Sequence, residues 1–201
     1  MKCFLWIIAV MTLAGCASTS TGPVQSALVE QAIRQAIAKE MGELTQADLE
    51  RVVTLDLIYA PISDADLKET VKLPRLRELE LGSTRITDTG LREVTKCREL
   101  AGLGLRQTRI TDAGLKEVAR MNQLQGLNLG YTRVTNAGLK EVAKLPKLKR
   151  LRLDGTSITD AGLKEMAKLK QLKDIYLEGT KVTEVGVTQL GKALPNCTIW
   201  H

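Results

Sequence analysis

The side chains able to do chemistry in this 201-residue chain are few, and their spacing restricts what they can do. There are four cysteines, Cys3, Cys16, Cys97 and Cys197, and one histidine, His201, at the last position. No metal-ligand spacing, G-x-S-x-G elbow or phosphate-binding glycine loop is spelled out, so metal, acyl-transfer and nucleotide chemistry all lack the groups they need. The acids Asp88, Asp112 and Asp160 recur at a fixed place, which a helix dipole accounts for without catalysis. The reading is therefore of a non-enzyme without cofactor or metal. What the chain does carry is binding chemistry: Arg106, Arg152, Tyr59, Tyr131, Tyr176 and Trp200 are the residue types that dominate binding hot spots.

Those side chains are positioned by a repeat. Ile62, Ile86, Ile110, Val134, Ile158 and Val182 are each 24 residues apart, and Leu55/Leu57, Leu79/Leu81, Leu103/Leu105, Leu127/Leu129, Leu151/Leu153 and Ile175/Leu177 keep the same step. Leu-x-Leu has period 2, which predicts a short strand with its leucines inward and their neighbours outward. Leu115, Val118 and Ala119 are spaced i, i+3, i+4, which predicts a short helix behind a Thr111-Asp112 start able to cap free N–H groups. Gly90, Gly114, Gly138, Gly162 and Gly186, near the helix starts, leave room for close packing on the strand. One such unit cannot bury its leucines alone, so the units must stack.

Each unit reads L-x-x-L-x-L-x-x-T-x-[IV]-T-D-A-G-L-K-E-[VM]-A, which resembles the leucine-rich repeat. The resemblance implies an α/β fold: a right-handed solenoid with a parallel sheet on its concave side, short helices on its convex side and a helical N-terminal cap. The "ITDAGL" half is similar to the cysteine-containing subtype found beside F-box domains and to its bacterial relatives. Cys97 stands in a column otherwise filled by Leu73, Met121, Leu145 and Leu169, so it reads as a core hydrophobe. Thr84, Thr108, Thr132, Thr156 and Thr180 fill the position usually held by Asn or Cys, and their hydroxyls are expected to bond buried backbone.

In this frame the outward columns are Asp56, Glu80, Gly104, Asn128, Arg152, Tyr176 and Trp200; then Ile58, Gly82, Arg106, Gly130, Asp154 and Glu178; then Tyr59, Ser83, Gln107, Tyr131, Gly155 and Gly179. Beyond residue 15 every aromatic residue falls in these columns. That pattern fits a recognition surface of Tyr59, Glu80, Arg106, Asn128, Tyr131, Arg152, Tyr176 and Trp200, with Arg85, Arg109, Arg133 and Lys181 as a basic rim. It also fits a leucine-packed interior with no room for rings, and both readings stand at this point.

The N-terminus has Lys2, an apolar run from Phe4 to Leu13, and then Leu13-Ala14-Gly15-Cys16. This resembles the bacterial lipoprotein box, which implies a signal peptide over 1–15, cleavage before Cys16 and lipid on Cys16. Residue 17 is Ala rather than Asp, so a cell-envelope location with outer-membrane sorting follows in a two-membrane bacterium. Residues 16–23 read as a lipidated tether, 24–57 as a helical cap and first strand, and 58–201 as repeats with a closing strand. In the cap, Ala27, Leu28, Ile33, Ala36, Ile37 and Met41 form one stripe that Gly42 stops.

Loss of Lys2 with residues 1–15 takes the formal charge from +6 to +5. Much of the excess falls on Lys140, Lys144, Lys147, Lys149, Lys164, Lys168, Lys170 and Lys173, which suggests a basic convex side. Cys97 and Cys197 lie about four repeats apart, roughly 19 Å, too far for a disulfide. The leading functional reading is a monomeric, lipid-anchored envelope module that binds a protein or peptide on its concave face. An envelope-polymer-binding lipoprotein using the basic convex side is the alternative, and a ubiquitin-ligase adaptor lacks any F-box-like segment. Nucleic acid is not an expected partner.

Overall fold

The computed structural model describes residues 24–201. Seven three-residue strands form one parallel sheet in chain order: β1 (Thr54–Asp56), β2 (Glu78–Glu80), β3 (Gly102–Gly104), β4 (Gly126–Asn128), β5 (Arg150–Arg152), β6 (Asp174–Tyr176) and β7 (Thr198–Trp200). Each strand is paired 24 residues on, Leu55 with Leu79, Leu79 with Leu103 and so to Ile175 with Ile199. The central residue of β1 to β6 is buried and its two neighbours face the other way, as the period of 2 requires. In β3 the outer positions are glycine and are covered as well.

Between strands run α3 (Asp88–Val94), α4 (Asp112–Val118), α5 (Asn136–Val142), α6 (Asp160–Met166) and α7 (Glu184–Ala193). Each turns its Gly, Leu and Val or Met inward, and α7 its Gly186 and Leu190. The first repeat has a 3-10 helix over Asp66–Lys72 in place of an α-helix, with the buried Thr70 hydroxyl donating back to the Leu67 carbonyl. Thr84, Thr108, Thr132, Thr156 and Thr180 do the same, each donating to the carbonyl three residues earlier at 2.6–2.7 Å. Cys97 is buried in the common core.

The recurring acids have a role beyond the helix dipole. The caps of α3 to α7 are threonines, and the Asp that follows Thr87, Thr111 and Thr159, like Asp64 in the first unit, reaches into the next repeat. Asp64 accepts hydrogen bonds from both the N–H and the hydroxyl of Thr87, Asp88 from Thr111, Asp112 from Thr135 and Asp160 from Thr183. These bonds hold the Asp160 carboxyl below its usual range. The helix glycines complete the motif, because a Cβ on Gly114 or Gly138 would strike the aspartate of the preceding repeat. Thr-Asp-Ala-Gly is thus one inter-repeat staple: Thr caps, Asp grips forward, and Gly admits the Asp from behind.

At the N-terminal end α1 (Ala27–Ala36) is capped by Ser26, and α2 (Gln46–Leu49) starts in a capping box of Thr45 and Asp48. Lys39 and the Thr45 bonds hold the Asp48 carboxyl well below its usual range. The expected stripe on α1 is displaced. Val29, Ala32, Ile33 and Ile37 are buried, Leu28 is partly buried, while Ala27, Ala36 and Met41 face solvent. The helix ends at Ala36 rather than at Gly42, because Ala38 already takes a left-handed φ of 54°.

Candidate functional site

On the concave face the first and third residues of each strand point away from the core. A trough of about 400 Å³ lies there, lined by Glu78, Glu80, Asn128, Arg150, Arg152 and Tyr176 around the glycines of β3 and β4. Glu78 and Glu80 form one pole on β2, and Arg150 and Arg152 form the other on β5, three strands or roughly 14 Å away. The floor between them is flat because Gly102, Gly104 and Gly126 carry no side chains. Gly102 and Gly104 also leave space that the acidic pole fills: the carboxylates of Glu78 and Glu80 lie across them, and a Cβ at either would push that side-chain end aside. Crowding of these acids raises the Glu80 carboxyl above its usual range, through burial first and then the charges of Asp56 and Glu78. Among the described residues neither glutamate has a cationic partner within ion-pair distance.

The basic pole runs into a stack of rings. The Arg152 guanidinium lies 4.6 Å over the Tyr176 ring and is held from the side by Asp154 at 3.1 Å. Tyr176 stacks in turn on Trp200, ring centroids 5.8 Å apart and nearly parallel at 6°. Arg152, Tyr176 and Trp200 are the same strand position in β5, β6 and β7, so in-register pairing produces the stack.

The structure divides the expected surface. Glu80, Asn128, Arg152 and Tyr176 meet in the trough, with Trp200 behind them. Arg106 and Tyr131 make a separate pair on the turns that follow the strands, guanidinium 4.2 Å from the ring centroid. Tyr131 also covers Gly155, where a Cβ would come within 2.6 Å of its ring. Tyr59 stands apart on the first such turn, 77% exposed. Its column is a turn column rather than a strand column: Tyr59, Ser83, Gln107, Tyr131, Gly155 and Gly179 all have φ between 54° and 68°. Arg85, Arg109, Arg133 and Lys181 are exposed one turn further out.

Glu78 and Arg150 line the trough as well, although the expected surface omits both. Period 2 places the residue before each inward leucine outward as surely as the residue after it, so the signal is present in the sequence. The basic excess is also placed differently. Lys144 and Lys168, expected to charge the convex side, are paired at 2.7 and 2.5 Å with Glu141 and Glu165 of their own helices. Cys97 and Cys197 are free thiols; burial raises both, Cys197 to about 11. Among the described residues no three His, Cys, Asp or Glu side chains are grouped to hold a metal, and no helix is long and apolar enough to cross a membrane. Cys16 lies outside the described residues.

A leucine-rich-repeat family model matches residues 72–94 and 144–167, two of the helix-containing units. No curated protein matches the chain. Among solved structures, internalin C2 from Listeria monocytogenes is 23% identical with a TM-score of 0.63, over 86% of this chain and 81% of that one. A leucine-rich-repeat protein of Leptospira interrogans is 26% identical with a TM-score of 0.55, over 77% of this chain and 38% of that one, so this chain spans well under half of that protein. Register, period and structural neighbours agree that the fold is a leucine-rich-repeat solenoid of the kind found in bacterial proteins.

Proposed function

We propose that this chain is a polypeptide-binding module that uses its concave face and is held at the cell envelope by lipid on Cys16. The observation that carries the binding reading is the stack of Arg152, Tyr176 and Trp200, an ordered row of hot-spot residue types at one end of a trough. Preassembled rings lose little conformational freedom when a partner covers them. The two poles give the partner its chemistry: a basic side chain over Glu78 and Glu80 and an acidic one over Arg150. An extended segment rises about 3.4 Å per residue, so these two side chains stand about four residues apart. Arg85, Arg109 and Arg133 extend attraction for acidic groups along the rim, and the module works as a monomer.

A photocrosslinking residue at position 128 in the full chain, expressed in a bacterial envelope, is expected to trap a discrete partner. The same residue at position 116, on α4, should not trap it. Tyr176→Ala with Trp200→Ala should lower the yield at 128 tenfold or more; an unchanged yield would overturn the concave reading. The anchor is tested separately. Metabolic labelling with a fatty-acid analogue should mark the wild type and not Cys16→Ser, and an unlabelled wild type would remove the envelope assignment, including the outer-membrane sorting read from Ala17.

A further inference from the structure

The formal charge of the chain is +6, and one edge of the solenoid carries an excess of that size, +7 once the five glutamates paired to its cations are counted. The six stretches 71–77, 95–101, 119–125, 143–149, 167–173 and 191–197 close each helix and lead towards the next strand. Together they hold thirteen Lys or Arg and one acid, Glu99, a formal +12. Because the strands are parallel and in register, these stretches all lie along the same edge. Every unit from 66–72 to 160–168 pairs the cation closing its helix with a glutamate three residues earlier, as in Lys96 with Glu93 and Arg120 with Glu117. Seven of the thirteen cations lie outside these pairs and that of Arg77 with Glu99, and four of the seven sit together in the fourth and fifth loops. Lys147, Lys149 and Lys170 donate only to the side chains of Gln123 and Gln125 and the Ala193 carbonyl, and Lys173 is exposed beside them. Among the described residues none of the four forms an ion pair. Adjacent strands stand about 4.8 Å apart, so four like charges are crowded into two neighbouring loops. A surface that neutralises its helices but leaves this cluster open is shaped for closely spaced anions.

We propose that Lys147, Lys149, Lys170 and Lys173 form a binding site for a linear phosphate-bearing polymer, distinct from the concave trough. Lysine ammonium groups suit phosphates as mobile point charges. The edge loops carry no aromatic ring, so nothing there stacks nucleic-acid bases. Ser26, at the start of α1, bonds Asp66 at the start of the 3-10 helix, so the described residues begin on the edge of the helix starts, opposite these loops.

The test uses the full chain in detergent and inorganic polyphosphate as the probe. Binding should weaken with salt, and Lys147/Lys149/Lys170/Lys173→Gln should weaken it tenfold or more and lower the slope of log K against log salt by about one for each phosphate no longer neutralised. The four Lys→Arg changes should retain it. Lys68/Lys116/Lys140/Lys164→Gln removes the same charge from the helical face and should leave the affinity within twofold. Tyr176→Ala with Trp200→Ala should also leave it unchanged, which separates this site from the proposed polypeptide site. Equal losses in the two lysine variants, preference for single-stranded DNA or for phosphatidylglycerol vesicles at matched phosphate, or no binding at low salt would overturn the proposal. Circular dichroism of each variant checks that folding is retained.

Discussion

Asp112 holds Thr135 of the next repeat through both carboxylate oxygens, one accepting the backbone N–H at 2.8 Å and the other the hydroxyl at 2.6 Å. The same threonine hydroxyl oxygen accepts the N–H of Ala137, so one residue caps α5 and is itself held by the unit before it. The stacking of repeats therefore rests on directed polar contacts as well as on leucines. Asp112→Ala should cost about 1 kcal/mol in chemical denaturation, because the contact is charge-assisted but partly exposed. A cost near zero would mean that water replaces the staple.

Asn136 stands where the other staples have aspartate, and it donates from Nδ2 to the Thr159 hydroxyl at 2.8 Å. That hydroxyl oxygen also accepts the Ala161 N–H, so its own proton finds no acceptor in the staple. Asn136→Asp restores the acceptor and places a negative charge in the first turn of α5, which has none. It should raise stability by about 0.5 kcal/mol at neutral pH. The midpoint of a urea titration checks the sign.

Leu127 is 2% exposed at the centre of β4. Leu127→Ala should cost about 2–5 kcal/mol, the range for opening a cavity in a packed core. Its neighbour Asn128 faces the trough, but its side chain accepts the Gly130 N–H at 3.1 Å. Asn128→Ala should therefore cost at most about 1 kcal/mol. Equal losses would shift the strand register by one residue.

The 24-residue period carried the strands, their parallel register and the buried columns, because each rests on apolar periodicity that one unit displays and six repeat. What the sequence left obscure was whatever depends on contact between units. Thr111-Asp112 has a complete local explanation as a helix start, so nothing in one repeat points to the grip of Asp88 on Thr111. The turn column was hidden for another reason. Only Gly155 and Gly179 advertise a left-handed φ, while Tyr59, Ser83, Gln107 and Tyr131 take it without the residue that signals it. Glu78 and Arg150 were legible in principle, since an outward frame that begins before the first leucine of each pair includes them and one that begins after it does not.

Gly155 meets two constraints at once: a φ of 63° and the ring of Tyr131 lying over it. Gly155→Ala should cost about 1–3 kcal/mol, from left-handed strain and displacement of the ring. Combining it with Tyr131→Ala should recover the part due to the ring and leave the backbone part. A double mutant no more stable than Gly155→Ala would show that Tyr131 yields freely, and that its contact with Arg106 is loose.

Glu80 gives the acidic pole a pH signature. Burial, then Asp56 and Glu78, raise its carboxyl in the folded state, so folding favours the protonated form. The sign follows from linkage: the ionised side chain destabilises the fold at neutral pH, and the penalty fades as pH falls through the raised folded value towards the unfolded carboxylate range near pH 4. Glu80→Gln should accordingly raise the melting temperature at pH 7, and the difference from wild type should vanish below about pH 4. Asp56→Asn removes one of the two charges responsible and should give a smaller shift of the same sign. A cationic group bound between Glu78 and Glu80 would relieve the same repulsion, so a basic peptide should stabilise the wild type more at pH 7 than at pH 4, and should stabilise Glu80→Gln less than the wild type at pH 7. A gain from Glu80→Gln that persists undiminished in acid would instead trace to packing against Gly104, and the acidic pole would lose its electrostatic meaning.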